Sequence, residues 1–527
     1  MANFQQIKMI EINSPRGTIY DRNGKELAVS LNVKSLYAVP SKIGLNSEKK
    51  LIASTLSDLF NLKQESTYER LNKKCNFLWI KRKLDPFEAD KISKYNFQGM
   101  GFVNETKRFY PNAELACHVI GFAGLDNKGL EGIELTYDRL LTGGNGWMII
   151  NKDALGRDMI SNVKQFSKPK TGAFITLTID EVIQHIAESE LRKVMMEYRA
   201  KSASVIIMDP FTGEILALAN LPSFNLNNYS SSALEERRNR VVTDVFEPGS
   251  TFKIVTASAA LESNSFKEDD KIYCENGEWK IFNHEIHDHE PRGLITFKQV
   301  VTYSNNIGMV KVGMKSGQEL VYKYAKKFGF GELTNIDLPG EIKGTIREPR
   351  EWSKLSITAV PMGQEVAATS IQIIRAFASI ANGGYLMKPG IVKSIVKDDK
   401  EIFKFRPTVV RRSIESNTAK RMVEILKSAV KEGTGTLANL SGYEVAGKTG
   451  TAQKIDPVTG DYSKTKYVAS FAGFVPADRP KIAILVVVDE PSYLYWGGCI
   501  AAPVFREISR KTLRYIEMKE EAKYVSR

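Results

Sequence analysis

From Pro248 to Glu262 the chain reads PGSTFKIVTASAALE, and this stretch restricts the fold more than any other. Pro248-Gly249 stops whatever precedes it and permits a sharp turn. From Ser250 onward nothing breaks a helix. That helix is made of Phe252, Ile254, Val255, three alanines and Leu261, so it belongs in a core, and it carries Lys253 inside with it. Burial disfavours the charged form of a lysine and lowers its pKa.

Ser250 and Lys253 lie three positions apart, one helical turn on a shared face. The first turn offers free N–H groups and the positive end of the helix dipole, which favour developing negative charge. A neutral amine beside a hydroxyl takes its proton and makes it a nucleophile. Taken alone, S-x-x-K reads more readily as a helix cap followed by a surface lysine. Two further elements alter that reading: YSNN, with Ser304 and Asn306, and AGKTGTAQ, with Lys448, Thr449, Gly450 and Thr451. S-x-N alone reads as a polar turn, and K-T-G as a solvated edge strand. Together, in this order, they form a constellation for acyl transfer. The Ser304 hydroxyl relays a proton between Ser250, Lys448 and a leaving amine. The Asn306 amide orients Lys253 and holds a substrate carbonyl. The Lys448 strand, with small Gly447 and Gly450, lets a peptide lie alongside as an added strand. Lys448, Thr449 and Thr451 bind a terminal carboxylate. The N–H groups of Ser250 and Thr451 form an oxyanion hole. This chemistry calls for no cofactor and no metal.

At 527 residues the chain has room for two to four domains of about 150 residues. The clearest seam is VKQFSKPKTGA, Val163 to Ala173, where Lys, Ser, Pro and Gly cluster. It divides the chain into 1–165 and 175–520. Before it, GTIYDRNGKELAVS reads as strand, Asn-Gly turn, strand, with Arg16, Gly17 and Asp21 in structural roles around the turn. This first part is expected to be an elongated mixed α/β module with no catalytic cluster. After the seam, Asp180 caps an amphipathic helix that holds His185, and ASVIIMDPFTGEILALAN forms a hairpin. Three more strands lie in YEVAGKTGTAQK and YVASFAGFVPADRPKIAILVVVDE, and APVFREISRKTLRYIEM reads as a closing helix. The middle third reads as mostly helical. The first and last strands are expected in one antiparallel sheet with the helical segment beside it.

Net charge is +13, which favours an anionic partner: nucleic acid, lipid surface or phosphorylated substrate. The basic residues are spread along the chain, and no nucleic-acid reading module accompanies them, so nucleic-acid binding is set aside. Cys75, Cys117, Cys274 and Cys499 lie far apart and outline no disulfide framework. The longest apolar run, Ile482 to Val488, falls well short of the roughly 20 residues that cross a bilayer.

With these motifs in place the chain resembles a class B penicillin-binding protein, a peptidoglycan D,D-transpeptidase. The resemblance extends through RGTIYDRNGKELA, RFYPNAELACHVIGFAG, GLEGIELTYDRLL, RNRVVTDVFEPGSTFK, FGFGELTNIDLPGE and GYEVAGKTGTAQK. It implies an α+β multidomain chain. A non-catalytic pedestal of the dimerisation type (1–165) would precede a transpeptidase domain (175–520), folded like a serine β-lactamase around a five-stranded antiparallel sheet flanked by helices. Ser250 would attack the D-Ala-D-Ala amide of a stem peptide on a lipid-linked precursor and pass the acyl group to a neighbouring amine. β-Lactam antibiotics would acylate Ser250 and stay. The resemblance further implies one N-terminal membrane anchor just before RGTIYDRNG, expected to lie outside this sequence, with the catalytic domain extracytoplasmic. A membrane glycosyltransferase and division proteins are the partners it implies. The EPGSTFK form with VAGKTGTAQK resembles the septal or sporulation branch more than the elongation branch.

Two rivals share the motifs: a serine β-lactamase or penicillin sensor, and a non-enzymatic scaffold that keeps the fold. The large first domain weighs against a simple hydrolase, and the intact Ser250, Lys253, Ser304, Asn306 and Lys448 weigh against a scaffold. HEIHDHE remains, with His284, His287 and His289. With Asp288 these could ligate zinc, but the spacing departs from common zinc motifs. A polar loop near the cleft is the reading adopted.

Overall fold

The buried strand runs after residue 200 assemble, in the computed structural model, into one five-stranded sheet. Residues 7–12, 14–152, 158–282, 284–456 and 459–525 are described. Helix α1 (Glu181–Tyr198) starts at Asp180, whose side chain accepts from the N–H groups of Val182 and Ile183. The hairpin β1 (Ser202–Met208) and β2 (Ile215–Leu221) follows. Helices α2 (Lys253–Glu262), α3 (Asn306–Ser316), α4 (Ser370–Ala381) and α5 (Ser416–Lys431) fill the middle. Strands β3 (Ala446–Ile455), β4 (Tyr462–Val475) and β5 (Ile482–Asp489) complete the sheet, and α6 (Gly497–Val525) closes the chain. The strand order is β2-β1-β5-β4-β3, antiparallel throughout, with Val205 opposite Val486 and Lys448 opposite Ala472.

Both faces of the central strands are buried, which is why β1 and β5 read as continuous apolar runs. Alternate residues serve two cores. Val205, Ile207, Ile484 and Val486 pack with Leu191 of α1 and Phe505 and Ile508 of α6. Ile206, Met208 and Leu485 pack with Ile254 and Val255 of α2 and Phe377 of α4. The sheet thus lies between two helical layers, and β3 is its edge.

Three local expectations shift. Gly249–Phe252 forms a 3-10 turn, and the α-helix proper starts at Lys253. The closing helix begins at Gly497 and runs through Pro503, earlier than its periodicity suggested. A side chain at 497 would come within 2.2 Å of the Gly450 carbonyl oxygen, so glycine lets the helix start directly against β3. In the mostly helical middle, His284–His287 pairs with Glu278–Ile281 as a small hairpin, so HEIHDHE is half strand and half loop.

In the first part of the chain, Glu26–Ala38 pairs with Met100–Phe109 over its length and with Leu78–Lys81. A separate small core forms around Leu36, Ile52, Leu56 and Ile80. Arg16 and Arg108, both buried, meet on the buried carboxylate of Glu134. A Cβ at Gly17 would lie 1.8 Å from the Ala173 carbonyl oxygen. Asp21 accepts from the N–H groups of Asn23, Lys25 and Glu181. The two parts share a sheet: Ile19–Tyr20 runs parallel to Phe174–Leu177, which pairs in turn with Val392–Lys397. One seven-stranded sheet therefore continues from the pedestal into the body that carries the motifs.

Candidate active site

The S-x-x-K turn is fixed from below. Gly249 has φ +51°, and its N–H donates to the Gly363 carbonyl at 3.1 Å. The Thr251 hydroxyl donates to the Pro248 carbonyl at 2.7 Å. In a 3-10 turn residues three apart eclipse one another, which aligns Ser250 with Lys253 more closely than an α-helix does. The same turn lies on β3: a Cβ at Gly450 would be 2.9 Å from Thr251 Cγ2 and 3.2 Å from the Pro248 carbonyl oxygen. The first and third motifs are therefore in van der Waals contact, and glycine at 450 permits it.

The second motif is held against the first through Lys253. Its amine, fully buried, donates to the Ser304 carbonyl at 2.6 Å, to Asn306 Oδ1 at 2.7 Å and to Ser304 Oγ at 3.3 Å. Ser304 has φ +58°, a left-handed conformation that costs a serine about 1–2 kcal/mol. With that backbone its carbonyl and its hydroxyl both reach the amine. Asn305 caps α3 by accepting from the Gly308 N–H at 2.7 Å.

Lys448 is fully buried on β3, its amine 3.3 Å from the Thr449 carbonyl oxygen and 3.4 Å from Thr449 Oγ1. Thr449 Oγ1 lies 2.7 Å from Thr434 Oγ1. Thr451 Oγ1 accepts from the Gly497 N–H at 3.0 Å, which leaves its own proton for another acceptor. Ser250, Ser304, Asn306, Thr449 and Thr451 line one cleft of ≈ 610 Å³. Lys253 and Lys448 lie beneath its floor, fully buried. The outer edge of β3 runs along the cleft, unpaired among the described strands.

Burial pushes the Lys253 amine down to about 7, against the pull of the Asp288 carboxylate. Burial, reinforced by the charge of Lys253, holds the Lys448 amine well below the ordinary lysine range. A neutral amine near pH 7, hydrogen-bonded to an amide oxygen and a serine hydroxyl, is equipped to take a proton.

Several residues at the site carry no spacing signal. The Asp288 carboxylate accepts from Asn305 Nδ2 at 2.6 Å, from the Asn306 N–H and from the Ile307 N–H at 3.4 Å. Thr434 sits in a Gly/Thr loop that reads as a connection. Tyr467, Tyr495 and Trp496 form a stacked aromatic wall, with Tyr467 and Tyr495 centroids 4.1 Å apart, and His289 lies against Trp496. Among the described residues no three His, Cys, Asp or Glu side chains are grouped to hold a metal. His289 is turned to the aromatic wall, and Asp288 caps α3.

Residues 203–510 match the penicillin binding protein transpeptidase domain, and residues 11–177 match the penicillin-binding protein dimerisation domain. Peptidoglycan D,D-transpeptidase FtsI of Escherichia coli K12 is 33% identical over 99% of this chain and 87% of its own length. Stage V sporulation protein D of Bacillus subtilis is 35% identical over 96% of this chain and 79% of its own. Among solved structures, penicillin binding protein 3 of Mycobacterium tuberculosis, complexed with aztreonam, superposes with a TM-score of 0.74 at 26% identity, covering 96% of this chain and 97% of that one. A peptidoglycan synthetase of Bifidobacterium adolescentis superposes at 0.76 with 25% identity, covering 97% of each.

Proposed function

This chain belongs to the class B penicillin-binding proteins, and from that membership we propose a peptidoglycan D,D-transpeptidase whose nucleophile is Ser250. The observation that carries the residue assignment is the buried Lys253 amine, bonded to Ser304 and Asn306 under the cleft that Ser250 lines. Neutral Lys253 takes the Ser250 proton as Oγ bonds to the carbonyl carbon between the two D-alanines of a stem peptide. The oxyanion accepts from the N–H groups of Ser250 and Thr451. The peptide lies along the open edge of β3, with its terminal carboxylate on Thr449 and Thr451, above the buried Lys448 amine. On collapse the C–N bond breaks, Ser304 gives its proton to the departing amine and takes the one that Lys253 holds, and D-alanine leaves. An amine of a neighbouring stem then attacks the ester. Its proton returns by the same route, and Ser250 is restored. Gly450 supports this arrangement by admitting the turn against β3.

β-Lactams enter the same cycle and stop at the ester. The test is release of D-alanine from a peptide ending in D-Ala-D-Ala, together with the lifetime of the penicillin ester. Rapid multiple turnover of penicillin would favour a hydrolase instead.

The residue division 1–165 for the pedestal and 175–520 for the transpeptidase is part of this reading. So is a cell-membrane location through one N-terminal anchor, with the cleft outside the cytoplasm. Among the described residues no helix is long and apolar enough to cross a membrane. The lipid-linked precursor, a membrane glycosyltransferase and division proteins are the partners proposed. The EPGSTFK and VAGKTGTAQK forms, and a relative named for sporulation, support a septal or sporulation role.

A further inference from the structure

The segment His287-Asp288 does not enter the acyl transfer described above, yet it is wired to the base. Three contacts leave it for the S-x-N motif. The His287 carbonyl accepts from Asn306 Nδ2 at 3.0 Å. Asp288 accepts from the Asn306 N–H and from Asn305 Nδ2. An amide whose nitrogen is engaged on one side must present its oxygen on the other. Asn306 Oδ1 accordingly faces Lys253 Nζ at 2.7 Å. The carboxylate also satisfies the first N–H groups of α3, which have no intrahelical acceptor.

We propose that Asp288 is a positioning residue for acyl transfer: it holds the Asn306 backbone, and with it the side-chain amide that the His287 carbonyl orients, on the Lys253 amine, and it supplies the negative charge that acts on this amine. The inference rests on Lys253 acting as the base. Among the described residues, Asp288, from the loop after His284–His287, is the charged group that acts on Lys253, and Lys253 in turn acts on Lys448 of β3. Ser304 and Asn306, from the segment that leads into α3, are neutral. The charge of Asp288 also acts on the buried Cys274 thiol, which burial chiefly holds protonated. Glu290 is paired with Arg292. Asp288 is thus the carboxylate that opposes desolvation of Lys253. With it, the amine keeps basicity enough to accept a proton near neutral pH. Without it, the amine would be neutral over a wider range but a weaker base, and Asn306 would lose its anchor.

A helix cap alone and a tuned base differ in pH behaviour. The rate of acylation by a fluorescent penicillin is measured against pH for the wild type, Asp288→Asn and Asp288→Glu, with thermal melts alongside. In Asp288→Asn the acid limb is expected to move to lower pH by on the order of one unit, as loss of an opposite charge requires, with a lower plateau. In Asp288→Glu the charge is kept but displaced, so the limb stays and the plateau falls at least about tenfold. An Asp288→Asn limb at the wild-type pH, or an Asp288→Glu plateau equal to wild type, would overturn the proposal. Should Asp288→Asn fail to fold, the Asp288→Glu plateau decides alone. Failure of the underlying reading looks different: the wild type itself would show no acid limb, or no acylation at all.

Discussion

Lys253 Nζ lies 2.7 Å from Asn306 Oδ1, a contact between residues 53 positions apart that joins the first motif to the second. It places a fully buried amine against the polar group that orients it, with a serine hydroxyl at hydrogen-bond distance.

The pH dependence has a definite sign. Burial holds the Lys253 amine at about 7, so above that pH the base is neutral and below it the amine is occupied by a proton. Acylation by penicillin should be level above neutrality and fall about tenfold per pH unit in the acid range. Stopped-flow acylation from pH 5 to 9 checks this; a flat profile across neutrality would contradict it.

Lys253→Met keeps the apolar stem and removes the base. Acylation should fall by about 100-fold or more, while loss of the donor to the Ser304 carbonyl and Asn306 Oδ1 should cost about 1–3 kcal/mol of stability. Penicillin labelling and a thermal melt read the two effects separately.

Gly450→Ala tests the contact between the first and third motifs. The added Cβ would lie 2.3 Å from Ser470 Oγ, 2.9 Å from Thr251 Cγ2 and 3.2 Å from the Pro248 carbonyl oxygen, so it presses on the Ser250 turn and is expected to displace it from β3. A displacement of about 1 Å at a reacting centre costs about 100-fold. The acylation rate constant should fall, with penicillin binding before acylation affected far less.

Glu134→Ala tests the pedestal. Glu134 is fully buried and pairs with Arg16 and Arg108, each 2% exposed. Its removal leaves the buried Arg108 guanidinium without a carboxylate, while Arg16 keeps Asp138 at 2.6 Å, and should cost about 3–5 kcal/mol. Urea unfolding should show the loss, and penicillin acylation of the folded fraction should be unchanged.

The parts of the molecule that were legible in the sequence share one property: the information is local. The apolar run after Pro248 made burial of Lys253 readable, and the DPFTG turn between two apolar runs made the β1-β2 hairpin readable. Asp180 announced α1 as its cap. What escaped reading depends on long-range pairing. Nothing in the spacing of Asp288 and Asn306 shows that a loop carboxylate caps α3. The Thr434–Thr449 contact joins a loop to a strand that its sequence does not name. The parallel pairing of Ile19–Tyr20 with Phe174–Leu177 lies between very short strands distant in sequence. The 3-10 turn at Ser250 was read as α because the two differ by one hydrogen-bond step, settled here by Gly249 in the left-handed region and its bond to Gly363.

In the proposed cycle the hydroxyl of Ser250 is the atom that becomes acylated. Intact-mass spectrometry after mixing with benzylpenicillin measures this directly. Wild type should gain the mass of one penicillin, and folded Ser250→Ala should gain none. An adduct on Ser250→Ala, or unmodified wild type in its folded state, would contradict the account.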